Sequence, residues 1–294
     1  MVAPTGVFAT DTANILATVN KLPTTGATPG GVVILRAGQY FASLPDIGSI
    51  TYLGQGRSAT EIRCTSGSML TTATLRQGIN FEHITLSTTS GHLINLGTST
   101  GGLASGHFND VQLVSYVTTS SMLIGSDAAE LIGYSFRDTL WTRAAASTVP
   151  AINLVSSGGN INANLFDTCT FYGNNSTAAP AIRLEATSAA FCHDNTFRNI
   201  VGKQNRGGLL HVFSPSGLII ENAVDWDAVG NYVDHIIKVD RSATAGAQPR
   251  NVDVKNCGTR FGTLTAPAAH FFMTTTLAPV AFRLRTSRTQ TEPV

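Results

Sequence analysis

Charged residues are scarce in this sequence of 294 residues. Only 13% of them are Asp, Glu, Lys or Arg, and the formal net charge is +1. A nearly neutral chain does not attract polyanions, so no nucleic-acid partner is expected. Long apolar runs are also missing, and no stretch approaches the ~20 residues of a membrane span, so no membrane insertion is expected. The first ten residues lack a basic segment followed by an apolar run, so no secretory signal is expected either.

Cysteines are few and show no paired spacing. The chain has Cys64, Cys169, Cys192 and Cys257, without a CxxC pair or a Cys/His cluster. This pattern indicates neither a disulfide framework nor a zinc site. We therefore expect buried core thiols, no metal and no cofactor.

What the sequence does contain is a repeated four-residue phrase: a large apolar residue, a polar one, a turn-forming polar one and a small apolar one. Its seven copies start at Phe81, Phe108, Phe136, Phe166, Phe197, Ile220 and Val254. The starts are 27, 28, 30, 31, 23 and 34 residues apart. A repeat of this length is typical of a solenoid, because one copy cannot bury its own apolar face and must stack on its neighbours.

Two further apolar patterns run in step with the phrase. Pairs of apolar residues separated by one position occur at Ile94/Leu96, Met122/Ile124, Ile152/Leu154, Ile182/Leu184, Leu210/Val212, Ile237/Val239 and Phe271/Met273. A third short stretch lies near Leu75, Leu103, Leu131, Ile161, Phe191 and Leu218. Alternation with period two predicts strands with one buried face. Three strands per turn, joined by Gly, Asn, Ser and Thr, predict an all-β fold, a single-stranded parallel β-helix.

A single helix is expected near the start of the chain, over residues 11–22. Thr10 or Asp11 can cap it, and Ile15, Leu16, Val19 and Leu22 fall on one face. We expect this helix to cover the open end of the first coil, where stacked apolar residues and strand edges are otherwise exposed. The predicted organisation is an N-terminal arm at 1–9, a β-helix domain at 10–281 and a C-terminal arm at 282–294.

The opening of the chain carries a family resemblance. GGVVILRAGQY at 30–40, ITYLGQG at 50–56 and EIRC at 61–64 follow the helix in that order. This opening resembles that of pectate-lyase-like right-handed parallel β-helix proteins, among them many bacteriophage tailspikes and related virion proteins. The resemblance implies a right-handed coil and a homotrimer. It leaves function open, because this fold hosts lyases, hydrolases, epimerases and non-catalytic virion parts.

Stacked coils turn equivalent positions into columns. The second position of the phrase holds Glu82, Asn109, Arg137, Asp167, Arg198, Glu221 and Lys255, and its sign alternates from Arg137 onward. Opposite charges on adjacent strands attract weakly, so this column is expected to fix the stacking register. The third position holds three late asparagines, Asn199, Asn222 and Asn256, which predict an asparagine ladder.

The same third position holds Asp110 and Asp138, which we expect in adjacent coils near His83 and His107. They are either ordinary turn residues or a pair that binds a cation or shares a proton. If the chain is an enzyme, these four residues are the predicted catalytic set. No arginine partner is evident in that column.

Arg183, His211 and Lys238 take successive outward positions on the second strand. This basic stripe is either a solvated face or a contact for an acidic sugar or a partner subunit. Outward apolar residues compatible with a subunit seam are Leu123, Val155, Phe213 and Phe272.

The polygalacturonase-type signatures Asn-Thr-Asp, Asp-Asp, Gly-His-Gly and Arg-Ile-Lys do not occur in the sequence. The resemblance of the opening to phage proteins, the lack of a secretory signal and the lack of these signatures together lead us to interpret the chain as a structural protein of a tailed bacteriophage, on the virion surface as a tailspike, fibre or capsid decoration. Its expected partners are two further copies, other capsid or tail proteins, and host-surface polysaccharide. The alternative is a lyase or hydrolase acting on bacterial surface polysaccharide.

Overall fold

Parallel pairing of equivalent residues in successive coils organises the molecule. The computed structural model describes residues 1–23, 30–97, 100–176, 179–186, 192–205, 207–226, 237–240, 249–259, 272–274 and 282–285. Within these residues there is one helix, α1 (Phe8–Val19), and the strands form three parallel sheets, named sheets 1, 2 and 3 here. The described part of the chain is therefore all-β apart from α1, as predicted.

The strand labels follow chain order. Sheet 1 contains β1 (Gly31–Ile34), β2 (Gly38–Phe41), β3 (Ile50–Leu53), β4 (Thr60–Cys64), β7 (Asn80–Thr88), β10 (His107–Ser115), β13 (Ser135–Arg137), β14 (Leu140–Thr142), β17 (Leu165–Asp167), β18 (Thr170–Ser176), β21 (Thr196–Arg198), β22 (Val201–Asn205), β25 (Ile219–Glu221), β26 (Val224–Trp226), β28 (Val252–Lys255), β29 (Gly258–Thr259) and β31 (Phe282–Arg285). Sheet 2 contains β5 (Leu70–Thr71), β8 (Ile94–Asn95), β11 (Leu123–Asp127), β15 (Ile152–Ser156), β19 (Ile182–Ala186), β23 (Leu210–Phe213), β27 (Ile237–Asp240) and β30 (Phe272–Thr274). Sheet 3 contains β6 (Leu75–Gln77), β9 (Gly102–Ala104), β12 (Glu130–Ile132), β16 (Ile161–Asn162), β20 (Cys192–His193) and β24 (Pro215–Ser216).

The repeated phrase stacks in register. Phe81, Phe108, Phe136, Phe166 and Phe197 pair directly with one another along sheet 1. Their side chains are at most 1% exposed, and neighbouring ring centroids lie 4.6 to 5.0 Å apart. The predicted aromatic column is confirmed. It also begins one coil earlier, because the Tyr52 ring stacks on Phe81 at 5.3 Å.

The third position of the phrase is a backbone corner. His83, Asp110, Asp138, Thr168, Asn199, Asn222 and Asn256 all have positive φ, between 49° and 56°. Asp, Asn and His are enriched in this left-handed region, which explains the polar residues there. From β13 onward the corner divides the phrase into two short strands of sheet 1, such as β13 and β14, whereas β7 and β10 run through the corner as single strands. The coils that begin with β7 and β10 therefore carry three strands, as predicted, and the coils that begin with β13 and β17 carry four, within the same three sheets.

In strand β11 of sheet 2, the inward-facing positions differ by one residue from those predicted. Leu123, not Met122, pairs with Ile152 in sheet 2. Leu123 is therefore fully buried, and its assignment as an outward apolar residue was wrong. Side chains alternate along a strand, so Ile124, which was predicted to face inward, faces outward, and Gly125 lies on the inner face.

Sheet 3 likewise departs from the prediction at some rungs. Arg76 rather than Leu75 pairs with Leu103. Pro215, not Leu218, pairs with Cys192. Phe191 and Phe271, which were also assigned to strands, lie outside the described residues.

The helix covers the first coil but starts and ends three residues before the predicted bounds of 11–22. Its N-cap is Val7, which makes no side-chain capping bond, so Thr10 and Asp11 do not cap it. Asp11 is instead fully buried, where its carboxylate accepts hydrogen bonds from Thr5 at 2.7 Å and from the backbone N of Phe41 at 3.0 Å. This carboxylate fastens α1 to β2.

The two chain ends also contact the β-helix. Val2 forms a parallel bridge with Leu35 and is only 5% exposed. Strand β31, which lies in the segment predicted as a C-terminal arm, pairs in register with β28. The domain boundaries at 9/10 and 281/282 stay predictions. In the described part of the chain, no helix is long and apolar enough to cross a membrane.

The charged column follows the predicted register, from Glu82 beside Asn109 to Glu221 beside Lys255. Asp167 accepts a hydrogen bond from Arg198 Nη2 at 2.7 Å and one from Asn199 Nδ2 at 3.1 Å. The bond from Arg198 is the main reason that the pKa of Asp167 lies below its usual value. This rung therefore contributes stability only while Asp167 is ionised.

Replacing Asp167 by asparagine is expected to lower the free energy of unfolding by at most about 1 kcal/mol at pH 7, since the pair is partly solvated. The folded-state pKa of Asp167 is depressed, so its contribution is present above the unfolded value of about 3.9 and is lost as the pH falls through the folded value. Urea unfolding at pH 7 and at pH 2.5 tests this. Asp138→Asn is the control, with the same change of charge at an exposed corner. An equal Asp167→Asn loss at both pH values would contradict the prediction.

Candidate functional site

The structure brings two of the four predicted catalytic residues together and adds a third that was not predicted. His83 Nδ1 lies 2.8 Å from Asp110 Oδ2, and Arg57 Nε lies 2.7 Å from Asp110 Oδ1. Arg57 also donates to the backbone carbonyl of Asp138 at 3.3 Å. Arg57 lies between β3 and β4, so the arginine partner of Asp110 comes from outside the column in which none was evident.

The other two residues lie apart from this cluster. His107 Nε2 pairs with Glu82 Oε1 at 2.8 Å rather than with either aspartate. His107 lines a separate groove of about 490 Å3 together with Asn109, Ser135 and Arg137. The Asp138 carboxylate is exposed, and only its backbone carbonyl meets Arg57. Among the described residues, no group of three His, Cys, Asp or Glu side chains is placed to hold a metal ion.

A second groove, of about 410 Å3, lies beside the Arg57 cluster on the outer face of sheet 1. We call it the sheet 1 groove. Its lining residues come from β2, β4, β7 and β10 and from the segments around them: Gly38, Gln39, Arg57, Ser58, Ala59, Thr60, Glu61, Arg63, Thr85, Gln112, Val114 and Tyr116. Most are outward positions that alternate with buried ones, as in β4, where Ile62 and Cys64 face the core and Glu61 and Arg63 face the groove.

Stacked coils build the floor of the groove. Gln39, Glu61, Thr85 and Gln112 pair in succession across four strands, and Arg63 pairs with Ser87 beside them. Adjacent strands are about 4.8 Å apart, so three spacings give a floor about 14 Å long, parallel to the axis of the coil. A short polymer segment can lie along such a floor.

Glu61 is the centre of a hydrogen-bond network in this floor. Its Oε1 accepts from Ser87 Oγ at 2.5 Å and from Arg63 Nη2 at 2.9 Å, and its Oε2 accepts from Gln39 Nε2 at 2.6 Å. Partial burial raises the pKa of Glu61, but the bonds from Ser87, Gln39 and Arg63 together outweigh burial and lower it. The carboxylate is therefore ionised near neutral pH and fixed in position.

Tyr116 forms one wall of the groove. It is 56% exposed, which is high for a large aromatic side chain, and the guanidinium of Arg63 lies 5.5 Å from its ring centroid. The cation holds one side of the ring, and the rest remains accessible. An exposed aromatic ring beside hydrogen-bonding side chains is a surface that can take an amphipathic ligand.

The predicted basic stripe exists as a column, but its cations have anionic partners. Arg183, His211 and Lys238 pair in register along sheet 2. Arg183 Nη2 lies 2.5 Å from Glu185 Oε2, and Lys238 Nζ lies 3.9 Å from Asp240. The stripe is therefore not a free patch of positive charge.

Phe213 lies in the column next to the stripe. Its ring stacks on His211 at 4.0 Å and receives the guanidinium of Arg183 at 5.4 Å. Phe213 and Val155 are half-buried, as expected for outward residues. The side chain of Phe272 lies outside the described residues.

Sequence reasoning did not find the groove residues Gln39, Glu61, Arg63 and Tyr116. A signal was present, because Glu61 and Arg63 alternate with Ile62 and Cys64 as outward positions alternate with inward ones. The repeated phrase starts only at Phe81, however, so these earlier coils could not be aligned with it. Tyr116 lies after the end of β10, where no periodic pattern fixes a side chain.

Comparisons with known proteins agree with this architecture. No protein-family model matches the sequence, and no curated protein matches it. Among solved structures, the chain is similar to ORF18 of Geobacillus virus E2, with a TM-score of 0.53 and 16% identity over 92% of this chain. The chain spans 58% of the length of that viral protein.

Two further solved structures are A-modules of Azotobacter vinelandii mannuronan C-5 epimerases. AlgE6 has a TM-score of 0.42 and 15% identity, with 85% of this chain and 83% of the module covered. AlgE4 has a TM-score of 0.38 and 16% identity, with 84% and 83% covered. The in-register stacking of three parallel sheets and the likeness to the viral protein together show that this chain has the pectate-lyase-like parallel β-helix fold.

Proposed function

We propose that this chain is a structural protein of a tailed bacteriophage and that its sheet 1 groove binds host-surface polysaccharide without cleaving it. The place on the virion would be an exposed tailspike, fibre or capsid decoration. The similarity in fold to a protein of Geobacillus virus E2 supports a viral role. Antibody labelling of intact particles tests the location, and absence of the protein from purified virions would overturn it.

The observation that carries the binding role is the lining of the sheet 1 groove. Gln39 and Gln112 present side-chain amides along the floor, and Tyr116 supplies an exposed ring. Sugars present hydroxyl groups at the ring edge and C–H groups on the ring face, so they pair with both kinds of surface. The long, open floor suits a polymer better than a compact small molecule.

The same groove argues against glycoside hydrolysis. Most glycoside hydrolases need two carboxyl groups, one on each side of the scissile bond, and one of the two must be protonated near neutral pH. Glu61 is the one carboxylate among the residues that line the groove, and its pKa is lowered rather than raised. Its oxygens are also occupied by Ser87, Gln39 and Arg63. Glu61 thus serves as a structural anchor for its neighbours.

One observation favours the alternative, a polysaccharide lyase or hydrolase. His83, oriented by Asp110 beside Arg57, has the arrangement of a general base next to a cation. Incubation with bacterial surface polysaccharide separates the two functions. New reducing or unsaturated ends that disappear in His83→Ala would establish the enzyme, whereas binding without new ends supports the receptor-reading protein.

The assembly partners are part of the proposal. We infer a homotrimer that docks on other capsid or tail proteins, in keeping with the half-buried outward residues Val155 and Phe213 on sheet 2, which a neighbouring subunit would cover. The mass of the protein in solution, measured by light scattering, tests this. A monomer at micromolar concentration would contradict the trimer but leave the groove proposal intact.

Replacing Tyr116 by alanine is expected to weaken polysaccharide binding about tenfold or more, because an exposed aromatic anchor is lost from the groove wall. The measurement is isothermal titration with polysaccharide fragments from the susceptible host. Tyr172→Ala is the matched control, since Tyr172 on β18 also lies beside a cation, Lys203 at 5.8 Å, but is outside the groove. Equal losses in both variants would argue against binding in the groove.

A further inference from the structure

We infer that the sheet 1 groove selects a neutral, hydroxyl-rich glycan over an acidic one. This inference rests on the proposed polysaccharide-binding function and names the chemical class of the ligand. It comes from the pairing of charges in and around the groove, which leaves its arginines without a free positive charge.

Both arginines of the groove already have carboxylate partners. Arg57 is held by Asp110 at 2.7 Å, and Arg63 contacts Glu61 through both Nε and Nη2, at 3.1 and 2.9 Å. Two cations and two carboxylates sum to zero formal charge, with histidine counted as neutral. A groove built to bind a polyanion would instead present unpaired cations along its floor.

The pairing also acts against an acidic ligand directly. The Nε edge of a guanidinium is the edge that best matches a carboxylate, and in Arg63 this edge is already occupied by Glu61. A carboxylate on the ligand would have to compete with Glu61 and Asp110 for the arginines while lying close to both of these anions. Like charges at such short range disfavour the acidic ligand.

The remaining groups suit hydroxyls. The Nη1 atom of Arg63 has no hydrogen-bond partner in the described part of the chain, and Gln112 offers an amide whose Oε1 meets only Thr85, at 3.5 Å. Ser58 also lines the groove. A sugar hydroxyl can donate and accept at the same time, so it can satisfy such mixed groups, whereas a carboxylate only accepts.

Matched polysaccharides provide the test. Acidic bacterial surface polysaccharides are compared with their carboxyl-reduced forms, in which each carboxylate has become a neutral hydroxymethyl group, together with naturally neutral polymers. The proteins are the full chain and two variants. Glu61→Gln removes the carboxylate partner of Arg63, and Glu130→Gln makes the same change of charge on sheet 3, where Glu130 accepts from Asn160 at 2.9 Å.

We expect the wild-type protein to bind neutral or carboxyl-reduced polymers at least as tightly as their acidic parents, with an affinity that changes little between 50 and 300 mM salt, as expected when charge contributes little. Glu61→Gln should improve binding of the acidic forms relative to the neutral ones by about tenfold, because Arg63 can then pair with the ligand. Glu130→Gln should leave that ratio unchanged.

The outcomes separate the two proposals. If the wild-type protein prefers the acidic parents by tenfold or more, the groove is not selective for neutral glycans, and the polysaccharide-binding function still stands. If no polymer binds at all, the proposed function itself fails and takes this inference with it. If Glu61→Gln fails to fold, the wild-type comparison alone still decides for or against neutrality.

Discussion

Replacing Phe136 by alanine is expected to lower the free energy of unfolding by about 3–5 kcal/mol, the usual range for removing a buried phenylalanine ring. Phe136 lies in the middle of the aromatic column, between Phe108 at 5.0 Å and Phe166 at 4.6 Å, and Trp141 adds a tilted contact at 5.7 Å. The ring is fully buried. Its removal therefore leaves a cavity bordered by residues of three coils.

The loss should not be repaired by local collapse. The neighbouring rings are fixed by the ladder hydrogen bonds of sheet 1 on both sides, so they cannot move into the space without breaking the register of Phe108 and Phe166. Because each coil contacts only its neighbours, the damage divides the solenoid into two weakened halves. We therefore expect broadened as well as destabilised unfolding in this variant.

Urea unfolding followed by far-ultraviolet circular dichroism measures the effect. Arg137→Ala is the matched control, since Arg137 follows Phe136 on the same strand but points outward and is exposed. The control should lose at most about 0.5 kcal/mol. A loss below about 1 kcal/mol for Phe136→Ala would mean that the column is not a main source of stability.

The aromatic column could be predicted because burial at one position per coil leaves a strong signal in the residue types. The corner residues at the third position of the phrase left a weaker signal in the sequence. Asp, Asn and His there indicated turns, but nothing in the sequence showed that all seven residues adopt positive φ. A second corner column was missed. Positive φ also occurs at eight small residues that lie outside the repeated phrase, so its spacing did not mark them: Ser49, Gly78, Ser105, Gly133, Ala163, Asp194, Gly217 and Asn251.

The asparagine ladder was found only in part. Asn222 Nδ2 donates to Asn199 at 3.0 Å, as the prediction requires, but both side chains are exposed. A different pair of asparagines forms a buried hydrogen bond between coils. Asn164 and Asn195 are each 1% exposed, and Asn164 donates to Asn195 Oδ1 at 2.9 Å. These two asparagines directly follow the corner residues Ala163 and Asp194. The sequence did not show where those corners lie, so the asparagines could not be predicted to face the interior of the coil.

The candidate site was less predictable than the fold. His83 and Asp110 come together because they occupy the same corner in adjacent coils, and that contact follows from the repeat. Arg57 and Tyr116 reach the groove from segments between or after strands, where no period applies. The pairing of His107 with Glu82 depends on side-chain rotamers, which column positions alone do not determine.

The second large effect concerns Arg143, a buried cation that links three coils. It is 3% exposed and follows β14 directly. Its Nη1 donates to the backbone carbonyls of Val149, Ala179 and Pro180, each at 3.2 Å, and its Nη2 donates to Asn205 Oδ1 at 2.9 Å. The three carbonyl acceptors lie in connections between sheets 1 and 2, and Asn205 is the last residue of β22, so the guanidinium ties those connections to sheet 1.

The charge of Arg143 survives burial. Burial lowers the pKa of Arg143 to about 10, and the fully buried Asp225 acts in the opposite direction. The guanidinium therefore remains protonated at pH 7. Removing one member of a buried charged network is costly, because the groups left behind lose their partners and cannot reach water.

Arg143→Met is expected to destabilise the protein by about 3–5 kcal/mol, because the methionine keeps most of the volume but none of the donors. Arg143→Lys should recover only a minor part, since one ammonium cannot match four acceptors that are arranged around a planar guanidinium. Urea unfolding of both variants at pH 7 gives these values. Combining Arg143→Met with Asp225→Asn tests the electrostatic interaction between Arg143 and Asp225. If Arg143→Met leaves the Asp225 charge without its compensating cation, the double variant should lose less unfolding free energy than the two single variants lose in sum. Strict additivity would instead assign the effect of Arg143 to its carbonyl contacts alone.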